Sequence, residues 1–370
     1  MAWFIGLMSG TSLDGVDGVL AQSTPQEPLL RSRAHAHVAF DSALRGELLA
    51  LNRPGPNELH RAALAGNALA RSYATVTAQL LRAAGLAPGD VRALGGHGQT
   101  VRHQPGAVDG TGYTLQLLNG ALLAELTGVD VVCDFRSRDV AAGGEGAPLV
   151  PAFHAACFAK PGADRAVLNL GGIANLTLLR ADGSVLGFDT GPANVLMDAW
   201  CQRHRGTAFD ADGAWAAGGH VDAALLGQWL GDAYFHRPPP KSTGRDLFDM
   251  AWLESQGGAA TPAPQDVMAT LAELTVRSVA DALQRHAPAT SALWVCGGGA
   301  FNSHLMVRLS ALLPTVPVRS TSELGVAAEQ VEALAFAWLA QAFVGLQPGN
   351  LPTVTGARGP RVLGALYPAA

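Results

Sequence analysis

Short apolar strands that break off into glycine-rich polar turns recur along this chain, and they constrain its fold more than any other feature. Trp3 to Met8 runs into SGTSLDGVDG, Val91 to Gly95 into GGHGQT, and Arg165 to Asn169 into GGIAN. Val185 to Phe188 runs into DTGPAN, and Leu293 to Cys296 into GGGAFN. Such brief aliphatic runs fit buried strands, and glycine lets the backbone turn or approach a ligand where a Cβ would not. Arg33 to Phe40 and Val129 to Cys133 read as further strands. Helical spacing marks Glu58 to Gly85, Leu115 to Leu126, Val195 to His204, Asp266 to His286 and Ser303 to Leu313. The apolar run from Ala333 to Leu346 reads as a buried helix. Each half opens on strand, glycine turn and strand, then continues to a helix and another strand. The expected fold is therefore α/β, with two domains meeting near residues 126 to 135.

Composition removes most competing classes. With 48% hydrophobic and 15% charged residues the chain is the opposite of a disordered one, and its 44 glycines are clustered rather than spaced as in collagen. Net charge is −5 and no Lys/Arg-rich run occurs, so nucleic acid is not an expected partner. Cys133, Cys157, Cys201 and Cys296 form no CxxC pair. That points to reduced thiols in a cytoplasmic protein rather than to zinc or a disulfide framework. No basic n-region precedes the first apolar stretch, and no uncharged run reaches membrane-spanning length, so no membrane role is expected. The phosphate-binding P-loop, the GxGxxG fingerprint, the GxSxG elbow and the HExxH zinc helix are all missing.

Three loops remain as carriers of chemistry. In the first, Gly10 to Asp17, amides and hydroxyls can donate to phosphate oxygens, and Asp14 or Asp17 can hold a hydrated Mg²⁺. The second places Asp189 just after a strand beside a Thr-Gly turn. The third, Gly297 to Gly299, leaves room for a planar base or ribose. Taken singly, each is equally a hairpin turn, an Asx turn or a strand-to-helix junction. Together, in this order and with no rival nucleotide motif, they fit an actin/Hsp70/sugar-kinase architecture.

The chain resembles the anhydro-N-acetylmuramic acid kinase family through motifs spread over nearly its whole length. These are GLMSGTSLDGVD at 6–17, HGQT at 97–100, DFRSRDVAAGG at 134–144, GAPLVPAFH at 146–154 and NLGGIANLT at 169–177. GFDTGPAN at 187–194, PPPKSTGRDLF at 238–248, GGGAFN at 297–302 and VEALAFAWLA at 331–340 complete them. The resemblance implies two related ribonuclease-H-like (actin-like ATPase) domains with a central ATP cleft, at 1–128 and 129–370, the last residues packing back on the first domain. It implies an ATP- and Mg²⁺-dependent kinase that opens a 1,6-anhydro amino sugar with water and phosphorylates O6 in cell-wall recycling. A kinase for another amino sugar and a non-catalytic ATP-binding regulator are the alternatives. Asp189 matches the catalytic base. Gly10, Thr11, Ser12, Leu13, Asp14, Gly15, Val16 and Asp17 match the ATP phosphate loop, with Asp14 reaching the metal through water. Gly171, Gly172, Gly297, Gly298, Gly299 and Asn302 complete the nucleotide set. His97, Arg136, Arg138 and Glu332 are the sugar candidates, an arginine fork suiting a lactyl carboxylate. For each, a local role (a loop histidine, a surface ion pair, a helix-end charge) is the competing reading. The polar loop around Lys241, Ser242, Thr243 and Arg245 either covers substrate or only connects. The family also implies a homodimer. Two positions depart from its pattern: Glu145, where glutamine is usual, and Ala193, where a second glycine is usual.

Overall fold

The computed structural model describes residues 1–369 apart from 11, 25, 28, 246 and 257–261. Two compact units emerge, one of residues 1–157 and 330–370 and one of residues 158–329.

The first unit contributes β1 (Ala2–Met8), β2 (Gly15–Ser23), β3 (Arg31–Ala39), β4 (Val91–Gly96), β5 (Gln99–Pro105), β6 (Gly112–Leu117) and β7 (Val131–Cys133). The second contributes β8 (Arg165–Leu170), β9 (Ile173–Leu179), β10 (Val185–Pro192), β11 (Leu293–Cys296) and β12 (Val318–Ser320). The chain then ends on β13 (Ala365–Tyr367) in the first unit. The first sheet has the order β13-β7-β4-β1-β2-β3 and the second β10-β9-β8-β11-β12, while β5 and β6 pair as a separate hairpin. In both sheets the first three strands form an antiparallel meander, and two further strands add in parallel on the far side of the first. The repeat of strand–turn–strand in the sequence is thus a repeat of topology, as the ribonuclease-H-like class requires.

The division falls later than residue 128. Val131 and Val132 of β7 pair with β4, so this strand belongs to the first sheet, and the helix Val150–Phe158 follows before the second unit begins. β13 then pairs antiparallel to β7.

The apolar segment near the C-terminus is a buried helix, Val331–Val344, lying against the first sheet. Two glycines permit that contact. A Cβ on Gly6 would collide with the carbonyl of Ala333, and one on Gly95 with that of Phe336. The long helix Glu58–Ala84 ends as its sequence suggests, with Gly85 at φ 65. One expectation fails. Leu115 to Leu126 is not a single helix, because β6 runs to Leu117 and a helix starts only at Gly120. Asn119 divides them: its side chain accepts from the amide of Leu122, capping the helix and ending the strand. No disulfide joins the four cysteines, and among the described residues no helix is long and apolar enough to cross a membrane.

Candidate functional site

In the second unit the three glycine-bearing loops converge because of strand direction. β8, β10 and β11 run the same way, so their C-terminal ends share one edge of the sheet, where open α/β sheets bind ligands. The register aligns Asp189 with Asn175, Asn175 with Asn169, and Asn169 with Cys296, a row of mostly polar side chains across four strands. Asp189 is half-buried. Its Oδ1 accepts from Asn175 Nδ2 at 2.8 Å and its Oδ2 from the Thr243 amide at 2.9 Å. Its backbone is held too: its amide donates to the Lys241 carbonyl and its carbonyl accepts from the Tyr234 hydroxyl. The loop 238–243 therefore fixes both ends of this residue.

The neighbouring turns are close-packed. The Gly171 and Gly172 carbonyls accept from the amides that open the helix Asn194–Arg205. Gly297 has φ 79, and a Cβ there would collide with Asn169 Oδ1; Gly298 is exposed, with open space around it. Asn302 is a helix cap, accepting from the Leu305 amide at 3.1 Å, which leaves its side chain engaged locally.

In the first unit the corresponding edge carries Ser9, Gly10, Ser12 to Asp14 and His97. Thr11 lies outside the described residues. The loop is shorter than the motif. Gly15, Val16 and Asp17 belong to β2, Val16 is fully buried, and Asp17 faces His35 and His37 across to β3 at 3.3 and 3.0 Å. Leu13 is buried with φ 56, a strained value for a leucine. Asp14 is exposed and accepts from the Ser12 hydroxyl at 2.7 Å. A Mg²⁺ ion that keeps several waters and meets ATP phosphates needs only one or two carboxylates. Asp14 fits that requirement, whereas Asp17 is committed to two histidines.

His97 does not present a nitrogen to a ligand. Its Nδ1–H donates to the Ser9 carbonyl at 3.2 Å, and its Nε2 accepts from Arg136 Nε at 3.1 Å and Nη2 at 3.0 Å. Arg136 Nη1 donates to the Gly146 carbonyl at 2.8 Å. His97 thus links the turn after β1 to Arg136, with both ring nitrogens engaged within the protein. Arg138 is exposed on the short helix Ser137–Ala141, and Glu332 is half-buried in the first turn of its helix.

Comparison with known proteins decides the family. The model of the anhydro-N-acetylmuramic acid kinase family matches residues 2–369. The chain belongs to the anhydro-N-acetylmuramic acid kinase family. A family member from Bordetella petrii is 61% identical over 99% of this chain and 96% of its own length. One from Ralstonia nicotianae is 56% identical over 99% and 97%. Solved structures superpose only loosely: a ROK family glucokinase from Streptomyces griseus is 14% identical, covers 92% of this chain and 99% of its own, and has a TM-score of 0.42.

The two departures from the anhydro-N-acetylmuramic acid kinase pattern are absorbed locally. Ala193 has φ −115 and ψ −105, so its φ lies outside the left-handed region. Glu145 donates its amide to the Thr355 carbonyl at 2.7 Å, a backbone bond indifferent to the side chain. Sequence reasoning about this family member missed Asn175 and Tyr234, and it named Thr243 only as part of a polar loop. An asparagine in the mostly apolar strand IANLTLL was the available signal for Asn175.

Buried histidines give this fold an acid limit. Burial, then the Arg136 charge, brings His97 down to about 3, and burial brings His154 down to about 3. Both stay neutral in the folded state while the unfolded chain takes up protons below about 6.5. Stability from this source is full above that value and is lost as pH falls toward 3, at about 1.4 kcal/mol per histidine per pH unit. Urea unfolding at pH 7 and pH 5 should show a clear drop at pH 5, and equal stabilities would contradict the neutral, buried state.

Proposed function

We propose that this chain uses ATP to phosphorylate 1,6-anhydro-N-acetylmuramic acid at O6 while water opens the anhydro bridge, giving N-acetylmuramic acid 6-phosphate. The observation that carries this reading is the carboxylate of Asp189 within β10, oriented by Asn175 and by the Thr243 amide. Two fixed donors give it what a general base needs, a set position from which to take a proton from a bound water.

Asp189 takes a proton from water as the water oxygen bonds to the anomeric carbon. The bond from that carbon to O6 breaks, and its electron pair goes to O6. O6 bonds to the γ-phosphorus, and ADP leaves. The leaving alkoxide is trapped by phosphorus instead of by a protonated acid, so one carboxylate suffices where glycosidases use two. Backbone amides of the turn after β1 suit the charge on the phosphates. Asp14 would hold Mg²⁺ through water, and the ion would neutralise charge on the transferring group. The exposed Gly298 suits close approach of the nucleoside. The same family reading brings a homodimer and a cytoplasmic setting.

The test is ADP release from ATP and Mg²⁺ with a panel of anhydro and reducing amino sugars. Turnover that requires the anhydro-muramic sugar supports the assignment; turnover confined to other sugars, or none, rejects it. Arg136, aimed by His97 and Gly146, is the stronger candidate for the lactyl carboxylate. Loss of a charged hydrogen bond is worth about 1.5–3 kcal/mol, so Arg136→Ala should raise the sugar KM roughly 10- to 100-fold with the ATP KM little changed. An unchanged sugar KM would remove Arg136 from the site.

A further inference from the structure

The loop that holds Asp189 has a second face. Side chains alternate along β10, so Phe188 and Thr190 lie opposite Asp189 and form one wall of a cavity of about 100 Å³. Its charged and titratable lining comes from His236, Arg237 and Lys241, and from Asp281, Arg285 and His286 of the helix Pro264–His286. The whole cavity lies within the second unit.

Its charge is unbalanced. Among the described residues, Arg237, Lys241 and Arg285 form no ion pair, and Asp281 is the lone carboxylate in the lining. Lys241 is only 7% exposed. Its Nζ donates to the Tyr234 carbonyl at 3.1 Å and lies 4.5 Å from the Tyr234 ring, which uses one of three N–H donors. A helix C-terminus favours Arg285 and His286. It does nothing for a buried ammonium brought in by a loop. Burying the Lys241 ammonium beside two arginines is costly unless an anion joins it.

We propose that this cavity binds a small tetrahedral oxyanion, of which inorganic phosphate is the biological representative. Charge selects the class: three cationic side chains face one carboxylate in the lining, and the five heavy atoms of phosphate fit the space. The ammonium of Lys241 supplies a point charge from within, and two arginine forks close the mouth. Asp281 opposes the anion and keeps its affinity modest. Burial, then Arg285 and Arg237, brings Lys241 down to about 8, a strain that a bound anion relieves. Occupancy also reaches Asp189, because the Lys241 carbonyl accepts the Asp189 amide and Thr243, two residues on, holds the carboxylate. That consequence alone rests on the proposed role of Asp189.

Thermal unfolding of the full chain tests the site, in phosphate, sulfate or chloride at matched ionic strength. Wild type should gain Tm in either oxyanion relative to chloride. Arg237 and Arg285 are exposed, so Arg237→Ala and Arg285→Ala should fold, and each should lose more than half of that gain. No oxyanion-specific gain in wild type overturns the proposal. So does a gain kept in either variant, the result expected if phosphate sits only at the Ser9–Asp14 turn. Sugar turnover does not enter this readout, so either proposal can fail without the other.

Discussion

Asp189→Asn should lower kcat for the anhydro sugar by about 10²- to 10⁴-fold, the usual contribution of a positioned general base, while ATP affinity and Tm stay close to wild type. The amide is isosteric, and its oxygen can still accept from the Thr243 amide. The Asn175 side chain can turn over to offer its own oxygen to the new amide, so the local hydrogen bonds survive. What is lost is the ability to take a proton. Steady-state kinetics and ATP binding by calorimetry, run on the same preparation, separate the two. Turnover within tenfold of wild type would reject Asp189 as the base. Loss of ATP binding along with turnover would instead indicate a disturbed site.

Much of this fold is legible in the sequence because its signals are local. Gly85 stops a helix and Leu293 to Cys296 is read to the residue, since four apolar residues running into three glycines leave little else to form. Asp189 stands out because a carboxylate after an apolar strand is conspicuous. What was not legible is long-range or competing. Leu115, Leu118 and Leu122 sit at helical spacing, and only the Asn119 cap reveals that strand and helix share the run. Val16 and Asp17 look like loop because glycines flank them, yet pairing with β1 and β3 draws them into the sheet. Thr243 meets Asp189 across 54 residues and Arg136 meets His97 across 39, and no short motif encodes either meeting. The unit boundary was misplaced for the same reason, because the membership of β7 depends on a neighbour far back in the chain.

The largest stability loss should come from Asp139, which sits in the motif DFRSRDVAAGG but is given no role by it. It is fully buried, and its carboxylate accepts from the Gly146 amide at 2.8 Å, Asn350 Nδ2 at 2.6 Å and the Thr355 hydroxyl at 2.8 Å. A Cβ on Gly144 would collide with it, which accounts for a glycine in that turn. Asp139→Ala strips the partner from three donors at once and leaves them buried. Hydrogen bonds to a charged group are worth about 1.5–3 kcal/mol each and do not simply add, so a loss of about 3–5 kcal/mol is expected. For a unit of this size that corresponds to a Tm lower by roughly 10 °C. The damage should spread in two directions. The segment from Asn350 to Thr355 loses its tie to the helix Ser137–Ala141, so limited proteolysis should cut the C-terminal region sooner. Gly146, whose carbonyl receives Arg136, loses its own anchor, so the sugar KM should rise in the surviving enzyme at temperatures well below its Tm. A variant with unchanged Tm would show that the three donors find other acceptors. A lower Tm with an unchanged sugar KM would confine Asp139 to holding the chain's end, without a part in aiming Arg136.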